Sequence, residues 1–177
     1  MINYIFIIGL TGVLTLVLGA AWPEERGKAF YSTKNWLFAF GALLMLAYAA
    51  LNYFYGAGSV FFILLELMVI VASVLMMLDT PDKVDTVVLG IFGLAFIAWS
   101  LFLYEGTSTV FFIAGLTGVS LGYAFATGTL RRFLALIVGS VLVAYFSYLM
   151  SDWIFFGLNS FFAIFSFYYL VKILKKT

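Results

Sequence analysis

Ser59–Leu78 reads SVFFILLELMVIVASVLMML. Wound as a helix, a run of this length reaches about 30 Å, the thickness of a bilayer's hydrocarbon core. One ionisable residue stands inside it, Glu66, several residues from either end. A carboxylate at such depth costs on the order of 3 kcal/mol on insertion scales. Every other Asp, Glu, Lys and Arg of the chain lies at a segment edge or in a loop. Ser59, Glu66 and Ser73 are each two helical turns apart and so share one line on the helix. That narrow polar stripe on an apolar helix predicts a face turned toward protein rather than lipid.

The residues on either side extend the pattern. Two thirds of the 177 residues are hydrophobic and a tenth are charged, a composition of an integral membrane protein. Seven apolar spans follow one another, at about Met1–Ala21, Asn35–Tyr53, Ser59–Leu78, Val84–Tyr104, Thr107–Thr127, Leu130–Met150 and Asp152–Ile173. Helices are expected throughout, because backbone groups in lipid must bond within their own segment. A β-barrel would need alternating ten-residue stretches, and these continuous runs do not alternate. The first run is read as a retained span rather than a cleaved signal, since Met1-Ile2-Asn3-Tyr4 carries no basic side chain. Cys and His are both absent, which excludes disulfides, His- or Cys-based metal sites and imidazole bases. No phosphate-binding loop, dinucleotide fingerprint or nucleic-acid stripe is present.

The basic residues set the expected topology. Arg26, Lys28 and Lys34 lie in loop one, Lys83 in loop three, Arg131 and Arg132 in loop five, and Lys172, Lys175 and Lys176 at the end of the chain. Loops two, four and six hold none. Seven spans put all nine on one side, the cytoplasm by the positive-inside rule, with the N-terminus outside and the C-terminus cytoplasmic. Phe6–Val13 reads FIIGLTGV and Phe112–Val119 reads FIAGLTGV. Val60-Phe61-Phe62 aligns with Ile154-Phe155-Phe156, and Ala47-Tyr48 with Ala144-Tyr145. The expected fold is therefore all-α with a 3+1+3 parallel repeat: a first three-helix unit over 1–78, a linker helix over 79–105 and a second three-helix unit over 106–177. A rival period of fifty pairs Gly56–Ile63, GAGSVFFI, with Gly106–Ile113, GTSTVFFI, as repeated hairpins.

Seven spans in this plan, in under two hundred residues, resemble the SWEET and PQ-loop transporters. Trp22-Pro23-Glu24, followed by a basic loop, resembles that family's Leu-Pro-Gln, and Leu158-Asn159-Ser160 resembles its pocket asparagine. The resemblance implies a site between the two repeats, with Asn159 and Ser160 among its polar partners and Pro23 as a hinge. Gly128-Thr129 stands where the second repeat would carry proline, so Gly128 would serve as the other hinge. Opposite Asn159 in span three stands Leu65, with Glu66 opposite Ser160, so a neutral amide pair is not reproduced.

The residues suggest membrane transport of a small solute through a central site, proton-linked through Glu66. Candidate substrate-binding residues are Glu66, Asn159, Ser160, Ser73, Tyr48 and Tyr145. Asn159 and Ser166 form a second stripe two turns apart, and Thr11 and Thr117 sit at matching repeat positions. Interhelical hydrogen bonding would explain Asn159 and Ser166 equally well, and a threonine in a membrane helix more commonly bonds its own backbone. Gly118 and Gly122 make a close-packing GxxxG. An enzyme is not expected, because Glu66 has no second acid, His or Cys to work with. Cofactors and metals are not expected. Expected partners are the lipid bilayer and a small-molecule substrate, without nucleic acid; a homo-oligomer stays open. The expected location is a prokaryotic plasma membrane. The alternatives are a structural or accessory membrane subunit without cargo, and a small ion channel in which Glu66 lines an oligomeric pore.

Overall fold

A computed structural model of the chain describes residues 2–22, 29–56, 58–126 and 128–175. Seven α-helices run in order: α1 Ile2–Ala21, α2 Thr33–Phe54, α3 Val60–Leu78, α4 Asp82–Phe102, α5 Thr107–Ala124, α6 Leu130–Leu149 and α7 Trp153–Leu174. A single 3₁₀ turn, Ala29–Tyr31, precedes α2. No strand occurs among the described residues. All seven helices are long and apolar enough to cross a bilayer, as an all-α integral membrane protein requires. On α1, Phe6, Leu10, Leu14 and Leu18 form an exposed line at four-residue spacing, while Ile5 and Leu16 on the other side are buried. In water such a line would be a liability; against lipid tails it is ordinary.

Helix ends follow local chemistry. Asp82 and Asp85 place acidic groups in the first turn of α4, where they favour the positive end of the helix, so α4 starts two residues before the apolar run. Asp79 closes α3 in the left-handed conformation, φ 52°, and Thr80 Oγ1 donates to Leu75 O over 3.2 Å. The fifth span stops at Ala124, short of its expected end, because Phe125 turns to an extended conformation. Ser59, Thr129 and Asp152 cap α3, α6 and α7, each accepting a hydrogen bond from a backbone N–H of the first turn.

The chain divides into two compact units, Met1–Pro81 and Asp82–Thr177. In the first, α2 packs against both α1 and α3. The α1–α2 seam depends on small residues. A Cβ on Gly9 would fall 2.6 Å from the Tyr48 ring, one on Gly12 3.0 Å from Met45, and one on Gly41 2.7 Å from Leu16. Asn35 ties the bottom of this unit together: its Nδ2 donates to Ala29 O (2.9 Å) before α2 and to Met76 O (3.2 Å) near the end of α3.

In the second unit α6 packs against α5 and α7, and α4 packs against α5. The helix expected as a linker between two units is thus α4, grouped with the helices that follow it. Thr86 Oγ1 lies 2.7 Å from Ala124 O, joining the start of α4 to the end of α5. Gly115 and Gly118 of α5 lie against Val143 and Gly139 of α6, where backbone meets backbone. These two glycines belong to FIAGLTGV, as Gly9 and Gly12 belong to FIIGLTGV, and both pairs abut the helix that follows. One turn further along, sizes are exchanged: Leu16 of α1 fills against Gly41, whereas Gly122 of α5 receives Leu136.

Candidate functional site

Glu66 sits two turns into α3, 1% exposed, among the buried Phe62, Leu65, Met68 and Ala72 of the same helix. Its Oε2 is enclosed and has no hydrogen-bond partner. The neighbours on its sequence stripe are spent otherwise. Ser73 is buried and its hydroxyl donates to Val69 O over 2.8 Å; Ser59 Oγ accepts from Phe61 N at 3.3 Å. Of the three residues, only Glu66 has an enclosed polar atom with no hydrogen bond at all. The basic residues of the described helices, Lys34, Lys83, Arg131, Arg132 and Lys172, all occupy terminal turns. None of them stands mid-helix as a built-in counter-ion.

Tyr48 is also buried on α2, its ring close against Gly9 and its hydroxyl accepting from Asn52 Nδ2 at 3.2 Å. There it packs in the α1–α2 seam. Tyr145 differs: it is 46% exposed, with its ring edge-on to Phe111 at 4.8 Å. The α6 residue that meets Gly115, as Tyr48 meets Gly9, is Val143, two positions earlier.

On α7, Asn159 is buried and Nδ2 donates to Phe155 O over 2.9 Å, one turn back. Ser160 is half-buried beside it and Ser166 is buried. Thr11 and Thr117 make equivalent bonds, to Ile7 O and Ile113 O, both 2.8 Å. A hydroxyl or amide engaged this way satisfies itself within its own helix. Pro23 lies outside the described residues. Gly128 stands in the exposed turn before α6 with φ +79°, a conformation that glycine adopts at no steric cost.

Several buried polar residues were not singled out from the sequence, Asn35 and Ser120 among them. Asn35, which the sequence marks only as the start of the second span, clamps three elements. Ser120 of α5 is buried with its Oγ unpartnered, and nothing in its flanking residues distinguishes it from other membrane serines. Among the described residues, no group of three or more His, Cys, Asp or Glu could hold a metal ion. The chain matches no protein-family model, no curated protein and no solved structure.

Proposed function

We propose that the protein carries a small solute across a membrane, with Glu66 as the group that meets a proton or a cationic part of the cargo. One observation carries this: a carboxyl oxygen enclosed in a membrane helix without any partner. Such a group is costly to insert, and in membrane helices ionisable groups mark ion and substrate paths. Its chemistry is simple. Ionised, the carboxylate accepts hydrogen bonds or neutralises an ammonium; protonated, it donates one. Exchange between the two forms links cargo movement to a proton.

The proposal keeps the duplicated 3+1+3 plan, with the start of α1 outside and the end of α7 in the cytoplasm of a prokaryotic cell. The basic residues at alternate loops support that orientation. Support for the duplication comes from the two glycine seams and from the exchange of Leu16 and Gly41 for Gly122 and Leu136. The SWEET and PQ-loop resemblance belongs to the same proposal.

The test is reconstitution in liposomes enclosing a pH-sensitive dye. Sugars, amino acids and small amines are added in turn across an imposed pH gradient. At least one is expected to move protons with the parent protein, and Glu66→Gln is expected to remove the pH dependence of its uptake. Uptake that keeps its full pH response in Glu66→Gln excludes Glu66 as the coupling group.

A second function, an accessory subunit without cargo, draws on a different observation. Ser73, Ser100, Thr117, Ser147 and Asn159 all donate to the carbonyl four residues back, which leaves few groups to hold a hydrophilic solute. A subunit of that kind co-purifies with one partner from native membranes in fixed ratio and gives no flux alone.

A further inference from the structure

The second unit gathers its charge at one end. Thr86 Oγ1 at Ala124 O brings the start of α4 to the end of α5, and Arg132 Nη1 donates to Phe125 O over 3.3 Å, adding the start of α6. Phe133 and Tyr169 stack at 5.9 Å with their planes 15° apart, which brings the end of α7 to the same place. Lys83, Arg131, Arg132, Lys172 and Lys175 are all at this end, against only Asp82 and Asp85 among the described residues. Glu105 and Asp152, at the other end of these helices, have no basic neighbour in sequence.

The details suit a particular ligand. Lys172 Nζ lies over the Tyr169 ring at 5.9 Å, and the opposing Phe133 extends that ring into an aromatic shelf. Phe165 packs edge-on against Tyr169 at 5.0 Å, fixing the shelf from below. Arg131, Lys172 and Lys175 are exposed and make no ion pair among the described residues. The start of α6 adds the positive end of its own helix dipole. A phosphate oxygen fits the basic groups, while a glycerol backbone and acyl chains fit tyrosine and phenylalanine at the membrane boundary.

We infer that the end of the second unit formed by the start of α6 and the end of α7 binds the headgroup of an anionic phospholipid. Arg131, Lys172 and Lys175 hold the phosphate, and Tyr169 with Phe133 supports the glycerol region. This is independent of whether the protein transports anything.

Native mass spectrometry of the full chain released from detergent tests it, with phosphatidylglycerol and phosphatidylcholine of equal chain length supplied in turn. Phosphatidylglycerol is expected to be retained in preference. The affinity should fall about fivefold for each charge removed, and on the order of a hundredfold in Arg131→Gln/Lys172→Gln/Lys175→Gln. If the triple variant does not elute as a folded species, Arg131→Gln and Lys172→Gln singly must each show the fivefold loss. Lys34→Gln, in the other unit, is expected to bind as the parent does. Equal retention of the two lipids, or undiminished binding in these variants, overturns the assignment. Displacement of the lipid by inorganic phosphate or glycerol phosphate at millimolar concentration would assign the basic groups to a soluble anion instead, and overturns it as well.

Discussion

Replacing Glu66 with methionine separates a carboxyl kept for function from one kept for structure. Methionine has a similar length, fills irregular gaps and carries no strong polar atom. Oε2 of Glu66 is enclosed and bonded to nothing, and leaving a buried acceptor unsatisfied costs about 1–3 kcal/mol. The insertion cost of about 3 kcal/mol is an upper bound on the gain, because the unfolded chain inside a membrane also holds this residue away from water. Glu66→Met is therefore expected to stabilise the fold by about 2 kcal/mol. For a chain of this size that raises the unfolding midpoint by about 4–8 °C. Glu66→Gln keeps the length and the unmet polarity, so it should recover only a small part of that gain. Unfolding in mixed micelles, followed by helicity and by tryptophan fluorescence, reads the stability; liposome uptake reads the function. The expected signature is a tougher protein that has lost its pH response, a trade seen wherever an active group is held against stability. A Glu66→Met protein weaker than its parent by about 1 kcal/mol or more would show that the carboxyl makes bonds the fold depends on, and would refute the reasoning.

Four further outcomes follow from packing and hydrogen bonding. Gly139→Ala puts a Cβ 2.5 Å from Val119 N and 2.7 Å from Gly118 C, backbone atoms with nowhere to go, and should cost about 2 kcal/mol or more in the same unfolding assay. Gly157→Ala, with no atom within 4 Å of the new Cβ, should be neutral or slightly stabilising, and equal losses at the two sites would argue against the seam. Leu16→Gly and Gly41→Leu should each destabilise, whereas the double exchange copies the Gly122–Leu136 arrangement; a double-mutant cycle should return a favourable coupling of about 1–3 kcal/mol. Asn35→Ala removes two bonds to backbone carbonyls and should cost about 1–2 kcal/mol, with faster hydrogen exchange confined to the turn before α2 and the last turn of α3.

Hydropathy and charge made the helices legible, because lipid removes every alternative for an unpaired backbone. The seven spans match the seven helices to within a few residues, and the misplaced ends have local causes. At the fifth span the apolar run continues to Thr127 while the helix stops at Ala124; hydropathy does not register the change at Phe125 to extended backbone. Which helix packs on which was less visible. The GxxxG of Gly118 and Gly122 pointed to a close contact, and both lie in the α5–α6 seam; Gly9, Gly12 and Gly115 lie in seams as well. The grouping of α4 with α5 depends on contacts such as that of Thr86, whose hydroxyl looks like any other at a helix start.

The polar residues divide along a physical line that sequence spacing alone does not draw. Spacing put Ser59, Glu66 and Ser73 on one stripe, and Asn159 with Ser166 on another, but a shared line says nothing about where each bond goes. A serine or threonine can turn back to the carbonyl four residues before it, and an asparagine can do so with its amide; the hydroxyl of Ser73 and the Nδ2 of Asn159 do this. A carboxylate cannot, since it has no hydrogen to donate to a carbonyl, and mid-helix N–H groups are already engaged by the ladder. Ionised glutamate is thus the one polar type in these stripes that a helix cannot satisfy from within, and Glu66 Oε2 finds no partner elsewhere. Its unmet oxygen, at a position where any aliphatic residue would insert more easily, is why the functional proposal rests on Glu66 and not on the serines beside it.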